Sequence, residues 1–136
     1  NLATTQPCVL AYWHHPLFSS RTATGGAPLP GPKAFWDDLY VAGADIVLNG
    51  HAHNYQRYAK QDPGGRAVPN GIREFVVGTG GKSHDGLSGT QDPDLEFGQG
   101  TNYGVLKLRL ADTSYSWEFV AVNGAVLDSG GPVPCN

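Results

Sequence analysis

Four of the five histidines stand in two close pairs: His14 with His15 at the end of one apolar run, and His51 with His53 just after another, while His84 lies apart. Imidazole is the commonest metal-binding side chain, and its ordinary pKa suits proton transfer near neutrality. A single loop histidine is more simply a capping or packing residue. Two sequence-distant pairs brought to one place instead favour a metal centre. On a regular strand His51 and His53 point the same way, whereas His14 and His15 point to opposite faces, so only one of the adjacent pair is expected as a direct ligand. Gly50 frees the backbone just before His51, allowing the chain to bend and aim two rings at one or two ions. In two-metal hydrolytic sites the ions lie ~3.5–4 Å apart, a gap that ligands of one loop can straddle.

The elements that must position these rings follow from pattern. Cys8–His14 is a short apolar run stopped by Pro16 and reads as a buried strand. Phe18–Gly31 mixes Ser, Thr, Gly and Pro and reads as a loop. Pro32 suits a first helical turn, Phe35, Leu39 and Ala42 recur at helical spacing, and Gly43 ends the helix. Asp45–Asn49 is then a second β-branched strand. Crossovers between parallel neighbours are right-handed and set their C-terminal ends side by side, where open α/β sheets keep their ligands. Both histidine pairs are therefore expected at one sheet edge. Further strands are read at Ile72–Val77, Tyr103–Leu110, Ser114–Val122 and Ala125–Leu127, with Asn123-Gly124 as a hairpin turn. The glycine-rich stretch between Gly78 and Asn102 shows no periodicity. The sum is a layered α/β domain whose sheet becomes mixed towards its C-terminal part.

Composition narrows the functions. Charged residues are 15% of the 136 and the net charge is −3, so no basic stripe marks a nucleic-acid surface. No apolar run approaches the ~20 residues of a membrane-spanning helix. The lack of Met, even at position 1, is expected of a chain whose beginning lies upstream. Cys8 and Cys135 are compatible with one disulfide in an oxidising compartment and equally with two buried thiols. Gly78-Thr79-Gly80-Gly81-Lys82-Ser83 ends like a phosphate-binding loop, but Val76 stands where that pattern requires Gly; it reads as a glycine turn leaving a strand. Tyr55 and Gln56 stand where a metallo-β-lactamase-like site would continue with Asp and His.

Val9-Leu10-Ala11-Tyr12-Trp13-His14-His15-Pro16, followed by Gly43-Ala44-Asp45-Ile46-Val47-Leu48-Asn49-Gly50-His51-Ala52-His53-Asn54-Tyr55-Gln56-Arg57, resembles the C-terminal half of a calcineurin-like metallophosphoesterase. The look is that of secreted bacterial members related to purple acid phosphatases, and Tyr103–Leu108 with the Cys-ended tail extends it over nearly the whole chain. The resemblance implies one α/β domain over 1–136: the C-terminal part of a layered metallophosphoesterase fold, a βαβ unit followed by mostly antiparallel strands. It implies metal-dependent phosphoester hydrolysis at a centre of two divalent or trivalent ions (Zn, Fe or Mn). His14 and His51 would bind one ion and His53 the other; His14 is preferred because the family's ligand stands two residues before the Pro. His15 would be an outer-sphere donor to the phosphate or leaving group, with a strand-end residue bonded to backbone as its structural alternative. Gln56 stands where the family often has Glu.

The family's Asp-x-Gly or Asp-x-His, Gly-Asp and Gly-Asn-His blocks, which supply the bridging Asp and the Asn, do not occur in place here. The chain alone is thus expected to hold at most one ion and to turn over little or not at all. Its expected partners are a phosphate ester and either the missing N-terminal half or a second copy, with no nucleic acid and no membrane. The expected setting is secreted or extracellular, the periplasm included. The alternative is a catalytically incomplete fragment acting only as a metal-binding or partner-binding β-rich module.

Overall fold

The computed structural model describes residues 8–20, 31–87 and 91–136; most of the 18–31 loop lies outside them. The chain runs β1 (Leu10–Tyr12), α1 (Lys33–Val41), β2 (Ile46–Asn49), β3 (Tyr55–Gln61), β4 (Ile72–Val77), β5 (Leu95–Gln99), β6 (Gly104–Leu110), β7 (Ser114–Ala121) and β8 (Val126–Pro134).

The βαβ unit forms as expected. β1 pairs with β2 in parallel, Leu10 opposite Ile46 and Tyr12 opposite Leu48, and β2 pairs with β4 in parallel, ending at Asn49 opposite Val76. Gly43, with φ +74°, ends α1 by turning into the left-handed region that residues with a Cβ avoid. Leu39 of the expected stripe enters the core, but its partner there is the flanking Trp36, whereas Phe35 is 58% exposed. Trp36 is the larger ring, and it meets Phe18 edge-to-face at 5.2 Å.

The sheet expectation needs two corrections. β3 and β5 had no periodic signal, yet they complete a five-stranded sheet in the order β1-β2-β4-β3-β5, with β3 antiparallel to both neighbours. Also, the C-terminal meander does not continue that sheet. β6, β7 and β8 form a separate antiparallel three-stranded sheet, turned at Gly124 with φ +86°, and β8 runs on to Pro134.

Three layers result. One face of the large sheet offers Val47, Tyr58, Ile72 and Val76 to Trp36, Leu39, Leu17 and Phe18. The other offers Ile46, Tyr55 and Phe75 to Tyr115, Trp117 and Phe119 of β7, which alternates buried and half-buried along its whole length, as a one-face-buried strand should. Between the sheets sits a charged cluster. Arg57 donates to Asp128 and ion-pairs with Glu96, the Tyr55 hydroxyl and Trp117 Nε1 donate to Asp128 Oδ2 at 2.7 and 3.0 Å, and Arg57 and Arg73 lie over the Trp117 ring. Burial pushes the Asp128 carboxyl up, but the bonds from Arg57, Tyr55 and Trp117 together with the Arg57 charge outweigh it and hold the carboxyl below its usual range. Cys8 and Cys135 are bridged, fastening the approach to β1 to the end of β8. Among the described residues no helix is long and apolar enough to cross a membrane.

Candidate metal centre

β1 stops at Tyr12, two residues earlier than the pattern suggests, so strand alternation does not reach His14 and His15. Trp13 N donates to Leu48 O and Gly50 N to His14 O, carrying the β1–β2 ladder past the strand ends. Pro16 then forces the chain away. The two adjacent rings are released from opposite faces and turn towards one spot.

His51 comes to that spot from β2. Gly50 is not the bent residue: His51 itself has φ +60°, the only positive φ among the described non-glycine residues. A side chain in this region costs roughly a kilocalorie or more and persists where surrounding structure imposes it. Ala52 N donates to Gly50 O at 2.7 Å, closing a tight turn centred on His51, and a Cβ on Gly78 would lie 1.8 Å from Ala52 O, so this turn packs directly on bare backbone after β4. Gly78 N donates to Asn54 O at 2.9 Å.

The rings of His14, His15 and His51 form one group, each offering a ligand atom within 4.8 Å of the others. His14 Nε2 and His51 Nδ1 are 3.2 Å apart. Nitrogens bound to one tetrahedral zinc at ~2.0–2.1 Å are themselves about 3.3 Å apart, so this pair fits a single ion. The donor set, three imidazoles, suits Zn, Fe and related ions. His15 is 4.3 Å from His51 and 4.8 Å from His14 between ring centroids.

His53 is not in this group. Its backbone N donates to Asp85 Oδ2 at 3.0 Å, and its buried Nδ1 makes no hydrogen bond among the described residues, with Asp85 Oδ1 4.0 Å away. The glycine-rich stretch thus folds back on the second histidine pair: Asp85 N also donates to His53 O, and His84 stacks on Tyr103 at 4.0 Å instead of joining the cluster. Arg57 and Tyr55 serve the inter-sheet cluster, both bonded to Asp128.

Residues that pattern alone did not single out hold the turns. Asn49 Nδ2 donates to Trp13 O at 3.0 Å and more weakly to His15 O at 3.4 Å. Glu74 is fully buried on β4 and accepts from Leu17 N and Phe18 N at 2.9 and 3.0 Å. Burial pushes its carboxyl up to about 8, the two N–H bonds pulling the other way. The available signal was a carboxylate and an amide in or beside apolar runs, where a polar residue needs a partner.

No protein-family model matches the chain. It is 37% identical over 75 residues to purple acid phosphatase 15 of Arabidopsis thaliana, covering 55% of this chain and 14% of that protein. It is 30% identical over 118 residues to purple acid phosphatase 21 of the same plant, covering 82% of this chain and 26% of that protein. Over 94% of its length it superposes on 26% of purple acid phosphatase PPD1 from yellow lupin seeds, with a TM-score of 0.76 and 23% identity. A further fold likeness, TM-score 0.72 at 18% identity over 96% of the chain and 37% of the other, is to GAP50, the anchor in the inner membrane complex of Plasmodium. The chain spans about a quarter or less of the curated relatives named here.

The fold is that of the C-terminal part of a calcineurin-like metallophosphoesterase. Within that class the chain is a homologue of the purple acid phosphatases.

Proposed function

We propose that this chain supplies the imidazole wall of a two-metal phosphoesterase site, as the C-terminal part of one metallophosphoesterase domain of the secreted bacterial group. His14 and His51 take one ion and His53 the other, with the bridging carboxylate coming from residues outside these 136. The observation that carries the reading is the 3.2 Å approach of His14 Nε2 to His51 Nδ1 from two separate strand ends. When bound, the ions, Zn, Fe or Mn, polarise the phosphoryl oxygens and lower the pKa of a water. The chain's own residues do the rest. Asn49 and Gly78 fix the two turns, and His15, exposed beside the cluster, holds a proton for the leaving-group oxygen. The bridged cysteines support a secreted or extracellular setting, the periplasm included.

The test is zinc, manganese and iron binding by the 136-residue chain, alongside p-nitrophenyl phosphate hydrolysis. At most one ion should bind, binding should vanish in His14→Ala and His51→Ala, and turnover should be negligible. Wild-type zinc affinity in both variants defeats the ligand assignment, and robust turnover by the chain alone defeats the division of the site.

One observation favours a second reading, a partner-binding module without catalysis. β1 is an edge of its sheet, and its Tyr12 is 79% exposed, a combination open to strand pairing. GAP50, the anchor in the inner membrane complex of Plasmodium, shares this fold. Assembly on size exclusion that persists under a chelator supports this reading; assembly that needs the metal does not.

A further inference from the structure

The segment that follows His14, His15 and Pro16 runs through the interior: Leu17, Phe18, Ser19 and Ser20 are all 0–1% exposed. A buried loop must find partners for its backbone N–H groups, and this one finds them on side chains. Leu17 N and Phe18 N donate to the two oxygens of Glu74, and Ser20 N donates to Gln56 Oε1 at 2.7 Å. Gln56 is itself fully buried. Its Oε1 also accepts from the Tyr58 hydroxyl at 2.8 Å, and its Nε2 donates to Asn54 Oδ1 at 2.7 Å and Ser19 Oγ at 3.2 Å. Both donors and both lone pairs of the amide are then used. Asn54 is the residue after His53, so a single side chain grips the segments on which both histidine pairs stand.

We infer that Glu74 and Gln56 are positioning residues that hold the His14–His15 turn at a fixed place relative to the His51–His53 turn. Glu74 anchors the first turn to β4, and Gln56 ties its far end to the second. The inference rests on the histidine cluster being a metal site. It also explains the amide: a Glu at 56 would aim an acceptor at Asn54 Oδ1, whose Nδ2 is already turned to Asp85 O, and would bury a second carboxyl near Glu74.

The experiment uses the 136-residue chain and its Gln56→Glu, Gln56→Met, Glu74→Gln and Ile72→Val variants. Gln56→Met keeps the volume without a buried charge and serves where Gln56→Glu does not fold. Ile72 is in the same apolar layer but outside the polar network, so Ile72→Val controls for lost stability. Three readouts are taken: melting temperature, zinc affinity by chelator competition, and the nuclear Overhauser contact between the His14 and His51 rings in the zinc-free chain. The Gln56 and Glu74 variants should bind zinc about 10–100-fold more weakly, as for supporting residues of metal ligands, and lose the ring contact. Ile72→Val should melt lower with both intact. Folded Gln56 and Glu74 variants that keep ring contact and affinity overturn the inference, as does Ile72→Val losing zinc in proportion to its melting temperature. If the unmutated chain binds no zinc, the metal reading fails, and the ring contact in the same variants still decides the positioning.

Discussion

Gly78→Ala is the sharpest perturbation of the proposed centre, because it adds one methyl group that meets backbone and alters no ring. The new Cβ would stand 1.8 Å from Ala52 O, 2.7 Å from Ala52 C and 3.1 Å from His53 Cα. The first contact is short by at least 1.2 Å of the 3.0 Å below which such contacts are essentially never seen. All three atoms are backbone, so no rotamer change relieves the clash, and either the end of β4 or the His51–His53 turn must move by about an ångström. Overpacking of this kind costs ~1–3 kcal/mol, several degrees of melting temperature for a domain of this size. A metal site tolerates only ~0.5 Å of ligand displacement, so zinc affinity should fall by more than the stability loss accounts for. Gly80→Ala is the control: two residues on, nothing lies within 4 Å of the added carbon, and both quantities should stay at wild-type values. Calorimetric melting and zinc titration of the two variants decide it. Wild-type stability and affinity in Gly78→Ala, or equal damage from Gly80→Ala, would refute the claim that backbone contact at Ala52 sets the histidine turn.

Two further outcomes follow from buried chemistry. Glu74 has its carboxyl raised from 4.5 to about 8 by burial, so across that window the folded chain keeps a proton that the unfolded chain has released, and stability should decline as pH rises, by on the order of a few kcal/mol. Asp128 works in the opposite sense: its lowered carboxyl stabilises the fold above the ordinary carboxylate range and ceases to do so as pH falls through its folded value. Melting temperature against pH should therefore peak on the acidic side and flatten on its upper limb in Glu74→Gln; a curve that climbs through that limb contradicts this. Reducing and alkylating Cys8 and Cys135, 127 residues apart, should cost ~2–5 kcal/mol, near the upper end for so long a loop, and an unchanged melting temperature after alkylation counts against it.

Local pattern determined a good deal. The apolar runs before each histidine pair, the helical spacing after Pro32 and the Asn123-Gly124 hairpin each follow from contacts close in sequence, and each element formed. Parallel pairing then places the ends of β1 and β2 together, so the meeting of His14 with His51 was legible from topology alone. β3 was not legible because Gln56 and Gln61 are buried as hydrogen-bonding residues, and a polar side chain in the interior erases the alternation that marks a strand. β5 was hidden by Gly98 and by the lack of a fully buried face along the strand. Three things depended on the packed structure. His15 joins the cluster because β1 ends early and alternation lapses. His53 separates from it and is bound instead to Asp85, across a stretch with no periodicity. His51 takes a positive φ in a tight turn closed by Ala52 N on Gly50 O, which packs on the bare chain at Gly78. These are contacts between atoms distant in sequence, whose distances no spacing of letters encodes, and they decide which nitrogens can share an ion.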